Sequence, residues 1–193
     1  NTGDSTNSII VTTSGQYFAT YTNEYGCTVT SSSVNVNVQA VPVVAIATTN
    51  AATSYCAGGS LALNAPAGMT GYQWKLNGTS IAGATGATYS ATASGSYTVL
   101  VTNASGCTSL SAAYTVTVDA LPSAVISAAS ATTFCQGDSV VLSAPAGYSY
   151  LWSNGATTSN ITAKTAGTYS VTVTNANGCS VTSSPTTVTV NYI

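Results

Sequence analysis

Five cysteines are the residues of this 193-residue chain whose type and spacing could do chemistry: Cys27, Cys56, Cys107, Cys135 and Cys179. A thiol serves as a nucleophile, a metal ligand or half of a disulfide. The chain has no histidine, so neither a serine nor a cysteine nucleophile has its usual imidazole base. A Ser–Lys dyad would rest on Lys75 or Lys164, which occupy unrelated places in the repeats described below, as solvated lysines do. Asp4, Glu24, Asp119 and Asp138 are scattered along the chain and do not form the close carboxylate pair of a glycosidase. Zinc would have to take the cysteines themselves. A calcium-bound joint would need several carboxylates at one boundary, where the chain offers Asp119 in one case and Gln39 in the other. No enzyme, catalytic residue, metal or cofactor is expected, and the chemistry left is thiol oxidation.

The cysteines are placed by a repeat. Cys27, Cys107 and Cys179 end the runs GQYFATYTNEYGC from Gly15, GSYTVLVTNASGC from Gly95 and GTYSVTVTNANGC from Gly167. Each lies ten positions after a tyrosine, Tyr17, Tyr97 or Tyr169. Tyr169, Val171 and Val173 alternate with Ser170, Thr172 and Thr174, the period of a half-buried strand. Asn175-Ala176-Asn177-Gly178 then reads as a hairpin loop. Cys56 and Cys135 are 79 positions apart, and each precedes an apolar strand. Repetition at this length indicates a row of small β-domains. The expected division is 1–40, the second part of a truncated domain whose first half would lie upstream; 41–119; and 120–193. Cys27 would then have lost its partner.

In the middle repeat the pattern predicts strand A at Val43–Ala47, B at Ser60–Asn64, C through Tyr72, Trp74 and Leu76, E from Tyr89, F at Tyr97–Thr102, and G ending in Tyr114, Val116 and Val118. Ile81 falls on a short connection between C and E. The last repeat matches with Val140 and Leu142, Trp152 and Tyr169, and is six residues shorter between its Trp and Tyr. The first repeat predicts strands at Ser8–Val11 and Tyr17–Thr22, and inward Val34, Val36 and Val38. Seven short strands, a core Trp on the third and a Tyr opening the sixth fit an immunoglobulin-like sandwich. The expected fold is therefore all-β, tandem immunoglobulin-like β-sandwich domains arranged as a rod. Trp74, Trp152, Tyr97 and Tyr169 are expected in the cores. Pro42 and Pro122 stiffen the joints Val38–Pro42 and Val118–Pro122.

The four cysteines of the two complete repeats permit three pairings, and the sequence alone leaves the crossed ones open. Bridged Cα atoms must come within about 7 Å. Cysteines of successive beads on a rod are expected to lie a domain length apart. On that argument Cys56 pairs with Cys107 and Cys135 with Cys179, each bridge stapling the A/B corner to the start of strand G at one end of a sandwich.

Only six residues are charged, and none is arginine. That excludes the basic face nucleic acid requires, and no apolar run approaches the ~20 residues of a membrane span. The run FCQGDSVVLSAPAGYSYLWSNGATTSNITAKTAGTYSVTVTNANGCS, from Phe134 to Ser180, resembles the Ig-like repeats of large secreted surface proteins of the Bacteroidota. These include the gliding-motility adhesins exported by the type IX secretion system. The resemblance covers nearly the whole chain, by its second half only in the first repeat. It implies an extracellular, bacterial cell-surface setting and an oxidised state, which cysteine use supports separately. It further implies O-glycans at Asp-Ser motifs, which would place them on Ser139 and Ser5.

Two function classes follow. One is a structural stalk segment that spaces a binding tip from the cell, its partners being neighbouring repeats of the same longer chain. Repetition, low charge and stiff joints favour it. The other is a module that binds a surface glycan or another cell-surface protein through its loops, with Tyr25, at a loop tip, as the candidate ligand contact. An isolated surface tyrosine is the plainer reading of Tyr25.

Overall fold

The computed structural model of the chain describes residue 3 and residues 5–192. It is all-β, with no α-helix among the described residues. The first repeat forms β1 (Gly15–Tyr17), β2 (Thr20–Thr22), β3 (Thr28–Thr30) and β4 (Val34–Val36). β1 pairs with β4 and β2 with β3, both antiparallel. No described residue before Leu61 is buried. The alternation builds ladders here but has no second sheet to cover them. Val34 and Val38 are accordingly exposed, not inward, and residues 8–11 form no strand.

The middle repeat forms β5 (Ser54–Cys56), β6 (Leu61–Asn64), β7 (Gly71–Leu76), β8 (Thr79–Ser80), β9 (Thr88–Ala91), β10 (Gly95–Thr102), β11 (Thr108–Leu110) and β12 (Tyr114–Asp119). One sheet runs β5-β12-β10-β7-β8, and β11 continues the pairing of β10. The facing sheet is β6-β9. Residues 43–46 form no strand, and the expected strand A contributes one bridge, Ala47 to Asn64. β5 pairs parallel to β12, while the remaining ladders of these sheets are antiparallel. This strand order, with a parallel first-to-last pair, is that of an immunoglobulin-like sandwich.

Leu61, Leu63, Trp74, Tyr97, Val99, Val101 and Val116 form its core. Trp74 is fully buried and stacks on Tyr89, ring centroids 5.9 Å apart. Its Nε1–H donates to the Gly86 carbonyl at 2.9 Å, which satisfies the one polar atom the indole brings inside. The Tyr97 hydroxyl donates to the Ala93 carbonyl at 2.9 Å, the corner hydrogen bond that locks the start of the sixth strand.

The last repeat forms β13 (Ser127–Ala128), β14 (Thr133–Cys135), β15 (Val140–Ser143), β16 (Ser149–Trp152), β17 (Asn160–Ala163), β18 (Gly167–Tyr169), β19 (Val171–Thr174), β20 (Ser180–Thr182) and β21 (Thr186–Asn191). One layer is β13-β15-β17; the facing layer is built from β14-β21-β18 and β16-β19-β20. β14 again runs parallel to β21. Where the middle repeat has β8, the last turns at Gly155, φ +84°, with its N–H donating to the Trp152 carbonyl at 2.9 Å. This is where its six fewer residues fall. A second, separate core holds Val140, Leu142, Trp152, Ile161, Tyr169, Val171 and Val173. Trp152 Nε1–H donates to the Thr158 carbonyl at 2.8 Å, and the Tyr169 hydroxyl to the Thr165 carbonyl at 3.1 Å.

Candidate functional site

The polar side chains that meet across repeats lie at the joints, on a loop that the chain builds three times. In the last repeat the Asn175 side-chain oxygen accepts from the backbone N–H of Asn177 at 3.1 Å and of Cys179 at 3.0 Å. Asn103 does the same for Ser105 and Cys107, at 3.1 and 2.9 Å. Asn23 does so for Tyr25 and Cys27, at 3.0 and 2.9 Å. The turn closes through a glycine at φ +80° in each copy, Gly26, Gly106 and Gly178, a conformation a side chain would resist. Asparagine is suited to this place because its short amide mimics a backbone turn. The loop is thus shaped from within and holds a cysteine at its end.

Each of the two later loops reaches the peptide that enters its repeat. Asn103 donates through Nδ2 to the Ala40 carbonyl at 3.0 Å, and the Ser105 hydroxyl donates to Gln39 Oε1 at 2.9 Å. Asn175 donates to the Ala120 carbonyl at 2.9 Å, and Asn177 Nδ2 to the Asp119 carboxylate at 2.7 Å. The last contact is charge-assisted and is the shortest of the four. Asn175 therefore has two jobs: its oxygen shapes the loop, and its NH₂ holds the preceding strand end.

The thiol pairing differs from the sequence-based expectation. Cys56 is bonded to Cys179, with Cα atoms 5.6 Å apart and 123 positions between them in sequence. Cys27, Cys107 and Cys135 are free. Neither the Cys56–Cys107 nor the Cys135–Cys179 bridge forms. The reason is the parallel β5. Cys56 lies opposite Asp119, at the far end of the last strand of its own repeat, whereas Cys107 precedes that strand's first residues. Twelve positions of largely extended chain, β11 and β12 with three residues between them, put the two on the order of 40 Å apart at about 3.3 Å each. The same strand end is where the next repeat begins, so Cys56 meets the loop of the following repeat. Cys135 and Cys179 are separated in the same way, since Cys135 lies opposite Asn191.

Sequence reasoning also missed a serine. Ser111 and Ser183 are the buried polar residues. Their hydroxyls accept from the N–H of Val99 at 3.0 Å and of Val171 at 3.1 Å, while their own N–H groups donate back to the carbonyls of the same two valines at 2.9 Å. Ser31 makes the same pair of bonds with Ala19. Each serine follows the loop cysteine by four positions, a spacing that was present to be read. The hydroxyl carries the F-to-G ladder across a bulge where no backbone acceptor is in reach, and it leads the chain from the loop into the last strand.

The remaining candidate residues are dispersed. Tyr25 is 83% exposed and takes the loop position that Ser105 and Asn177 use to hold the preceding repeat. Ser139 and Asp138 are exposed beside β15. Ser5 is exposed, and Asp4 of its motif lies outside the described residues. Among the described residues no three His, Cys, Asp or Glu side chains gather at a metal-binding distance, and no helix is long and apolar enough to cross a membrane.

No family model matches the chain, and no curated protein matches it. Solved structures do. Drosophila OTK extracellular domains 3–5 align over 92% of this chain and 71% of theirs, at 16% identity and a TM-score of 0.42. The fibronectin(III)-like modules of Clostridium thermocellum CbhA align over 78% and 94%, at 14% identity and a TM-score of 0.38. Murine CEACAM1b aligns over 77% and 100%, at 14% identity and a TM-score of 0.33.

Proposed function

We propose that this chain is a spacer segment of an exported bacterial surface adhesin, made of immunoglobulin-like domains at 41–119 and 120–193 and part of another at 1–40. The domains are joined end to end as a rod that holds a binding tip away from the cell. The observation that carries this reading is the cross-joint bridge Cys56–Cys179, set within hydrogen bonds that recur at the joint before it. A module whose loops grip a ligand leaves those loops free. Here the two later Asn-x-x-Gly-Cys loops are spent on the preceding repeat, and Tyr25 stands at the same docking position. The bridge also supports an oxidising, extracellular setting. The resemblance to Bacteroidota gliding-motility adhesins supplies the type of parent protein.

Solution scattering tests the rod. A compact globule of this length would have a radius of gyration of about 16 Å; the spacer reading expects roughly 25–30 Å for domains stacked end to end, each about 40 Å long from its strand lengths. A value near the compact one would remove the rod. A glycan array on the same protein separates spacer from binding module: the spacer reading expects no reproducible hit.

A further inference from the structure

The bridged joint has two unlike halves. The loop half is Asn175–Cys179. The strand half is Cys56, the Asp119 side chain and the Ala120 carbonyl, held together by the parallel pairing of Cys56 with Asp119 and by Ala57 N–H donating to the Asp119 carbonyl at 2.8 Å. A second strand half stands at the far end of the last repeat. Cys135 lies opposite Asn191 in the same parallel register, and Gln136 N–H donates to the Asn191 carbonyl at 2.9 Å. Asn191 takes the register position of Asp119, and Tyr192 follows it as Ala120 follows Asp119. Cys135 is exposed with its thiol free. Three elements of the occupied site are thus repeated at a place where, among the described residues, no loop cysteine is bonded.

We propose that Cys135, Asn191 and the Tyr192 carbonyl form a covalent docking half-site for the Asn-x-x-Gly-Cys loop of another repeat of this kind. The inference rests on the tandem-repeat reading above. The loop asparagine donates to the Tyr192 carbonyl, the residue two positions on donates to the Asn191 amide oxygen, and the loop cysteine bonds to Cys135. The bond forms by exchange with a small-molecule disulfide. One thiolate attacks the oxidant and releases one small thiol. The second thiolate then displaces the other small thiol from the mixed disulfide. Two protein thiols lose two protons and two electrons, and the oxidant leaves as two thiols. Cys27 is also free and exposed, but it belongs to a loop half.

The test extends the full chain by a second copy of residues 122–193 after Ile193, which keeps Asn191, Tyr192 and Ile193 in the register of Asp119, Ala120 and Leu121. Disulfides formed in a glutathione redox buffer are mapped without reduction. The expected result is Cys56–Cys179 together with Cys135 joined to Cys179 of the appended copy. Asn175→Ala and Asn177→Ala in that copy should lower the second bridge several-fold at equal oxidant. Cys135 recovered free or as its glutathione adduct, with Cys56–Cys179 formed, overturns the half-site and leaves the spacer reading standing. Loss of both bridges removes both. A measurement independent of how the added repeat folds uses the unextended chain under the same buffer at high concentration. Linkage of Cys135 to Cys27 of a second copy supports the half-site; symmetric Cys135–Cys135 linkage, or none, overturns it.

Discussion

The joints at Ala40 and Ala120 are made by the same loop in the same way, yet only one is bonded. Both have an asparagine donating to the entering peptide and a second polar side chain reaching the residue before it. The later joint adds a carboxylate acceptor and a disulfide. The contrast separates docking from locking. Exposed hydrogen bonds are each worth about 0.5–1.5 kcal/mol, enough to aim a loop but not to keep two domains together. Aiming is what a thiol pair requires, because the bond forms only when two Cα atoms are held a few ångströms apart. At the earlier joint the loop is aimed and Cys107 waits without a partner.

Breaking the lock has the largest expected effect. Closing 123 residues removes about 5 kcal/mol of chain entropy from the unfolded state. The Cys56→Ser, Cys179→Ser variant should therefore lose about that much in denaturant unfolding. Amide exchange at Ser105, at the earlier joint, should stay unchanged. Coincident curves for the variant and the oxidised parent would mean the bridge adds nothing.

Trp152→Ala should cost about 3–5 kcal/mol, as other buried aromatics do. It should melt the last repeat while the middle repeat, with its own core around Trp74, keeps its near-ultraviolet signal. Loss of both repeats together would show that they are one folding unit.

Removing the ladder hydroxyl is smaller. Ser111→Ala or Ser183→Ala leaves the buried N–H of Val99 or Val171 unpaired and should cost about 1–3 kcal/mol by chemical denaturation. In the first repeat Ser31→Ala, at an exposed site, should cost under about 0.5 kcal/mol. Equal effects at all three positions would detach the cost from burial.

The smallest change compares Tyr55 with Phe134, which take the same place in β5 and β14. The Tyr55 hydroxyl is buried with no hydrogen-bond partner, and Phe134 has none to satisfy. Tyr55→Phe should be neutral or gain up to about 1 kcal/mol. Burial pushes the phenols of Tyr55 and Tyr97 up, and for Tyr97 the bond to Ala93 offsets part of the rise. The folded state then holds the phenolic proton more tightly than the unfolded state. That stability is fully present below the ordinary tyrosine value of 10.0 and is lost as pH rises through the raised values. The middle repeat should weaken above about pH 10, later in Tyr55→Phe; an unmoved alkaline midpoint would place the titrating group elsewhere.

Alternation, the Gly-x-Tyr starts and the two tryptophans made the sandwich legible before any coordinate, because side-chain period and core volume are local facts. The shortened C-to-E connection could be read from the Trp-to-Tyr spacing. The pairing of cysteines could not, for an instructive reason. Spacing placed Cys56 before strand B and Cys107 before strand G, but not that the residues around Cys56 cross to the other sheet and lie parallel to the end of β12. That crossing moves Cys56 from one end of the sandwich to the other. The expectation that cysteines of successive repeats lie a domain length apart fails here, because Cys56 sits at the end of its repeat that meets the loop of the next. In the middle repeat Val44 and Ile46 do pack on the core, but one bridge at Ala47 replaces the expected strand A. In the first repeat Val34 and Val38 stay exposed because pattern alone does not supply a facing layer.

The parallel alignment of β5 with β12 has one more consequence. A chain drawn out by its two ends carries tension along the shortest covalent path. With Cys56 bonded to Cys179, that path leaves the backbone at Cys56 and rejoins it at Cys179. The residues between them form a closed side loop, which includes nearly all of both cores. At about 3.4 Å per residue, roughly 400 Å of contour is withheld from stretching. What remains in line is the chain up to Cys56, with β1–β4 and β5, the bond itself, and the chain after Cys179, with β20 and β21. Tension therefore runs through β5 and β21, while the core residues between Cys56 and Cys179 lie off the covalent path.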